Sequence, residues 1–146
     1  MSEIKLTQGK YALVDDEDFE WLNQWKWCYD GQYAASRISG KKIRMHRMIM
    51  GNSNLQVDHR DMDKLNNQRC NLRFANNSEN NSNKGPQPNN TSGHKGVHWN
   101  KNARKWQAQT KMNGHRYHLG YFNDINDAVV AYRLGAKKYH GEYINV

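Results

Sequence analysis

Both prolines of this chain lie in one short stretch, GPQPNNTS at 85–92, at the close of an Asn-crowded run from Asn66 to Asn90. Proline fixes φ, lacks a backbone donor and pushes its predecessor out of the helical region, so no helix continues past Lys84. The 146 residues therefore read as two very small domains, 1–84 and 93–146, joined by a linker at 85–92. Each half has little apolar surface to bury. Only 36% of residues are apolar, yet the chain holds five Trp, eight Tyr and three Phe, so aromatic side chains must supply much of the packing.

Charge is distributed as unevenly as proline. Residues 1–36 carry three Lys against seven acids, whereas 37–146 carry nineteen Lys or Arg against seven acids. A net charge of +8 points to a polyanionic partner, and the later three quarters of the chain must carry its surface. Between Lys84 and Tyr121 there are seven basic residues and no acid. Cys28 and Cys70 stand alone, with neither a CxxC pair nor a disulfide framework, and read as reduced thiols. No apolar run reaches the roughly 18 residues of a membrane span, and MSEIKLTQG lacks the apolar core of a signal peptide. These features predict an intracellular protein with no membrane role.

Local patterns predict an α+β chain. IKL, YALV, WKWCY and YAASRI read as short strands around one helix at DDEDFEWLNQW, with Asp15 or Asp16 as N-cap and Phe19, Leu22 and Trp25 on its apolar face. SGKK at 39–42 reads as a turn before KIRMH. After the linker, KGVHW, KWQAQTKM and HRYHLGYF read as three strands, the last two joined by the Asn-Gly hairpin signal of MNGH. A helix follows, capped by Asp124, with Ile125, Ala128, Val129, Tyr132, Ala136 and Tyr139 at helical spacing and Gly141 closing it.

The segment MHRMIMGNSNLQVDHRDMDKLNNQRCNLRFANNSENNSNK resembles the HNH, or ββα-metal, nuclease motif of phage-type homing endonucleases. Its landmarks are Asp58-His59 after a short apolar strand, the pair Asn66-Asn67, Asn71-Leu72 twelve residues beyond His59, and Ser78-Glu79-Asn80 opening a helix. The resemblance implies a nuclease domain over 1–84 with its core motif at 46–84. It implies His59 as the general base that activates water, Asp58 and Asn80 as metal ligands, and Asn71 as the residue fixing the loop that orients His59. Asn83 shares a helical face with Asn80 and stands as the alternative ligand. One carboxylate and one amide form a hard, oxygen-only set, which suits Mg²⁺, with Mn²⁺ as a substitute, and disfavours zinc. His46 stands where relatives of the motif often carry His, and it reads as structural. Arg47, Arg60 and Arg73 are expected on phosphates, since Arg cannot give up a proton.

From Ser92 to Val146, the segments SGHKGVHWN, KWQAQTKMNGHRYHLGYF and GAKKYHGEY resemble the AP2 DNA-binding domain, a three-stranded antiparallel sheet on one helix. That resemblance places the domain at 93–146 and its DNA contacts at Lys95, His98, Asn100, Gln109, Lys111, Arg116 and His118. The turn around NKNARK is about one residue longer than in plant members, so their target sequence does not carry over. Together the two resemblances imply a metal-dependent homing endonuclease that hydrolyses phosphodiester bonds in duplex DNA and leaves 5′-phosphate and 3′-hydroxyl ends. It would act as a monomer or weak dimer without a small-molecule cofactor, in the cytoplasm of a bacterial or phage-infected host. The alternatives are a non-catalytic DNA-binding transcriptional regulator and an RNA-directed enzyme.

Overall fold

In the computed structural model, which describes residues 1–144, the chain forms two compact units, Met1–Asn76 and Asn77–Val146. The last two residues of the segment expected at 93–146 lie outside the described residues. Among the described residues, several small antiparallel sheets and four α-helices make up the fold, which bears out the α+β class.

The first unit begins with a hairpin of β1 (Ser2–Lys5) and β2 (Tyr11–Val14), followed by helix α1 (Asp16–Leu22). Strands β3 (Cys28–Tyr29), β4 (Ala34–Ile38) and β5 (Lys41–Arg44) form an antiparallel sheet in that order. Ser39 and Gly40 turn β4 into β5 with φ of 49° and 77°, the paired left-handed geometry of a two-residue hairpin. Helix α2 (Met45–Met50) leads to β6 (Gln56–His59), which pairs with β7 (Leu72–Ala75). Leu22, Val14, Met45 and Trp27 sit at the centre of this unit's core, and Phe19, Trp21 and Trp25 pack against it. The aromatic cluster is therefore packing, as its spacing indicates.

Two local expectations change. MHRMIM forms a helix that its pattern does not announce, because six residues with no side-chain cap leave too short a repeat to see. Asp15 occupies the N-cap position of α1 but makes no capping hydrogen bond there. Its carboxylate instead accepts from the Arg69 backbone at 2.8 Å and from Gln68 Nε2 at 3.2 Å.

The second unit opens with α3 (Asn77–Asn83) and continues with β8 (Val97–Asn100), β9 (Lys105–Met112), β10 (His115–Phe122) and α4 (Ile125–His140). The unit boundary thus falls one helix before the proline-containing segment. The sheet order is β10-β9-β8, all antiparallel, with α4 packed on one face through Ala128, Tyr132 and Ala136. Asn113 and Gly114 make the β9–β10 turn with φ of 49° and 86°, as the Asn-Gly signal predicts. Asp124 caps α4 by accepting from the Asn126 backbone at 2.7 Å, and Gly141 at φ 56° ends it.

Helix and sheet approach closely where glycine allows it. A β-carbon at Gly96 would fall 2.1 Å from the Tyr132 ring, and its φ of +70° is already left-handed. Left-handed strain and overpacking each cost an L-residue on the order of 1–3 kcal/mol. Gly96→Ala is therefore expected to destabilise the protein by about 2–4 kcal/mol. Urea unfolding checks this by a lowered midpoint, and an unchanged midpoint contradicts the packing described.

Candidate active site

The β6–β7 hairpin sets Asp58 opposite Arg73 and His59 opposite Leu72. Asp58 and His59, at the end of β6, are 6% and 5% exposed, so both sit inside the first unit. A buried carboxylate needs a partner. Arg73 supplies it, with Nε at 3.0 Å and a terminal nitrogen at 2.9 Å from Asp58 Oδ2, and the guanidinium is itself only 6% exposed. Its expected use on phosphate therefore competes with a buried ion pair.

The loop from Arg60 to Asn71 carries no strand or helix beyond an isolated bridge, and polar side chains give it its shape. Asn71 Oδ1 accepts from the Asp61 backbone at 3.1 Å, while its Nδ2 donates to Asp61 Oδ1 at 2.9 Å and to the Asn66 carbonyl at 2.8 Å. Asn66 Nδ2 donates to the other Asp61 oxygen at 2.8 Å. Strand β2 anchors the far side of the loop: Leu13 N donates to Leu65 O at 2.9 Å, and Leu13 O accepts from Asn67 N at 2.8 Å. Farther along, Arg69 binds Asp18 through two nitrogens, at 2.7 and 2.8 Å, and Glu17 at 3.4 Å. The acids at the front of α1 thus hold this loop, and the cluster of Asp15, Glu17 and Asp18 has Arg69 as its cation.

Asn67 is a residue whose importance the motif spacing leaves unstated. It is 1% exposed, and its Nδ2 donates to the Leu65 carbonyl at 3.1 Å. That bond fixes the amide orientation, so Oδ1 is the atom that lies 3.4 Å from His59 Nε2. An amide oxygen only accepts, which places the ring proton on Nε2 and the lone pair on Nδ1. Burial holds the His59 pKa below 6.5, opposed by the Asn67 bond and by Asp61, Asp58 and Asp63. Edge-on to this ring, at 5.2 Å, lies His46, whose buried Nδ1 has no hydrogen-bond partner among the described residues. Burial, and then the nearby charges of His59, Arg44 and Arg47, lower the His46 pKa to about 3. Two neutral imidazoles therefore sit together near neutral pH, with Tyr33 packed against both. Arg44 and Lys64 in turn lie over the Tyr33 ring.

The remaining expected residues of the first unit are Arg47 and Arg60. Arg47 donates to the carbonyls of Leu55 at 2.7 Å and Ser53 at 3.5 Å, bracing the chain before β6. Arg60 is exposed. In the second unit, α3 carries Asn80, which is half-buried, and Asn83, which is 4% exposed. Asp58 in the first unit offers a carboxylate oxygen, and Asn80 and Asn83 in the second offer amide oxygens; each is a hard donor of the kind that suits a hydrated Mg²⁺ rather than zinc.

The sheet of the second unit turns a polar face away from α4. His98 pairs with Gln107 across β8–β9, and Arg116 with Lys111 and His118 with Gln109 across β9–β10. Gln107 centres a network, with Oε1 3.1 Å from His98 Nε2 and 2.9 Å from Asn100 Nδ2, and Nε2 3.2 Å from His118 Nδ1. Asn100 also accepts from Asn102 N and Ala103 N, which makes it the organiser of the β8–β9 turn. Trp106 packs on the core, whereas Trp99 is 45% exposed. Lys95 does not join this network. Its amine donates to the carbonyls of Asn81, Ser82 and Lys84 at the end of α3, and burial lowers its pKa to about 8. Lys84 donates to Asn81, leaving Lys101, Arg104, Lys105, Lys111 and Arg116 of the basic stretch for the sheet and its first turn.

No protein-family model matches the chain, and no solved structure matches it. Among the described residues no helix is long and apolar enough to cross a membrane. A protein of Acanthamoeba polyphaga mimivirus, described as an uncharacterized HNH endonuclease, is 30% identical over 145 aligned residues, spanning 93% of this chain and 74% of that protein. That identity over nearly the whole length, with an Asp-His pair buried on a two-stranded hairpin, shows that the chain belongs to the HNH endonuclease family.

Proposed function

We propose that the protein is a metal-dependent endonuclease of the homing type, hydrolysing phosphodiester bonds in duplex DNA at sites selected partly by an AP2-like sheet. The observation that carries this reading is His59, a buried imidazole whose Nε2 proton is directed at Asn67 and whose lone pair therefore lies on Nδ1. A neutral ring with a defined lone pair can take a proton from water as that water attacks phosphorus. Asn71 and Asn67 act by holding the loop and the ring in place. Asp58 and Asn80, with Asn83 as the alternative, hold the divalent ion that HNH nucleases generally use, here Mg²⁺ or Mn²⁺. When bound, that ion neutralises charge on the phosphoryl oxygens and assists departure of the 3′ oxygen. Arg73 aligns the Asp58 carboxylate from the neighbouring strand.

The polar sheet face supports duplex DNA as the substrate. His98, Asn100, Gln107, Gln109, Lys111, Arg116 and His118 mix bidentate amides with cations, the side-chain types that meet base edges and phosphates. A protein that only bound DNA would gain nothing from a buried base next in sequence to a carboxylate.

His59→Ala is expected to lower Mg²⁺-dependent cleavage of duplex DNA by about 10²–10⁴-fold, the usual worth of a general base, with binding retained. Gel assays of cleavage and anisotropy of a labelled duplex check both halves, and full cleavage by the variant refutes the assignment. The pH profile gives a second check. The base works when neutral, so activity is full above its folded pKa and falls as pH drops through it. Because burial holds that pKa below 6.5, the acid limb of kcat/KM should have its midpoint below 6.5. Asn67→Ala removes a group that favours the charged ring and should move the limb further to acid. A parental midpoint above 6.5 contradicts the buried base.

A further inference from the structure

Helix α3, with sequence NSENNSN, contains no apolar side chain. Helices shorter than about 12–15 residues are marginal on their own in water, so this one owes its position to bonds made with its surroundings. Within its unit those bonds are specific. Ser82 Oγ lies 2.8 Å from the Ser78 carbonyl and 2.7 Å from His140 Nδ1, and His140 Nε2 lies 2.8 Å from Thr110 Oγ1. Ser82, His140 and Thr110 are 6%, 8% and 6% exposed. Nearby, Lys95 caps the helix carbonyls and the Asn113 backbone donates to Ser78 Oγ at 2.9 Å.

The direction of the proton chain follows from counting donors. A hydroxyl has one proton and a carbonyl only accepts, so the Ser82 proton goes to Ser78 O. Ser82 Oγ must then accept from His140 Nδ1–H. A neutral ring with its proton on Nδ1 presents a lone pair at Nε2, and that lone pair accepts from the Thr110 hydroxyl. Burial, and then the charge of Lys95, lower the His140 pKa, in keeping with the neutral ring. Thr110 lies on β9 between Gln109 and Lys111, whose side chains occupy the opposite, polar face of the same strand.

We propose that His140 is a positioning residue for cleavage, whose ring ties the helix bearing Asn80 and Asn83 to the central strand of the DNA-reading sheet. The inference rests on the nuclease reading above. It makes the sheet more than a tether: a strand held in place by bound duplex also holds the amide that serves the metal.

Substitution at His140 in the full chain tests this. The amide of Asn falls near Nδ1 and keeps a donor for Ser82, whereas that of Gln falls near Nε2 and loses it. His140→Gln should lower the cleavage rate and raise the Mg²⁺ concentration for half-maximal activity, together by about 10- to 100-fold, as outer-shell partners of metal ligands do. Its affinity for duplex DNA, measured in EDTA, should match the parent. His140→Asn, which keeps the bond to Ser82 but not the one to Thr110, should recover only part of the loss. Thr110→Val, which removes one hydroxyl at nearly constant shape, should change rate and Mg²⁺ dependence in the same direction if the Gln variant does not fold. Parental rate and Mg²⁺ dependence in both His140→Gln and Thr110→Val overturn the proposal. So does a parallel loss of DNA affinity and cleavage in all three variants, which marks a purely structural histidine. A parental chain that cuts no duplex in Mg²⁺ instead removes the nuclease reading itself.

Discussion

The candidate site depends on a loop that has almost no regular structure of its own. Between β6 and β7 the backbone of Arg60 to Asn71 is shaped by amide and carboxylate side chains of Asn71, Asn66, Asp61 and Asp63, and by the edge of β2 at Leu13. Asn suits this work because it donates and accepts at once, and each such bond contributes roughly 0.5–1.5 kcal/mol when both partners are satisfied. The Asn-crowded composition that looks like a linker in part is therefore also the frame that holds His59. A bond at one end of the loop fixes the ring proton at the other: Leu65 O orients Asn67, and Asn67 orients His59.

Electrostatics in the first unit follows from the same enclosure. Asp58 and Arg73 face each other across two strands where neither has much water, so losing one would leave the other charged and buried, at a cost of about 3–5 kcal/mol. His46 and His59 avoid that cost by staying neutral. In the second unit the same economy of polar groups appears in α3, an all-polar helix held through Ser82, His140 and the Lys95 amine. Neither arrangement draws much on the hydrophobic effect, which fits a chain with only 36% apolar residues.

What the sequence makes legible is what local spacing controls. The Asn113-Gly114 turn, the Asp124 and Gly141 caps of α4, the alternation along β9 and the Asp58-His59 strand end can all be read from neighbours in the chain. What it hides depends on partners far along the chain. Asp15 is the best N-cap candidate by type, yet its carboxylate goes to Gln68 and Arg69, more than fifty residues on. Lys95 and Arg73 carry the charge expected of phosphate contacts, but a helix end and a buried carboxylate claim them. His140 lies in a helix whose spacing is plain, and nothing local marks the tie from its ring to Ser82. Motif order points to His59 and Asn71 and marks Asn67 as a landmark; only the fold shows that Asn67 meets the His59 ring.

The central claim, that this chain cuts duplex DNA at chosen places, is tested most directly by exposing a mixed genomic DNA library to the purified protein in Mg²⁺ and sequencing the new ends. The expected ends recur at a shared sequence, carry a 5′-phosphate opposite a 3′-hydroxyl, and vanish when EDTA replaces Mg²⁺. New ends no more frequent than in the EDTA control would contradict it.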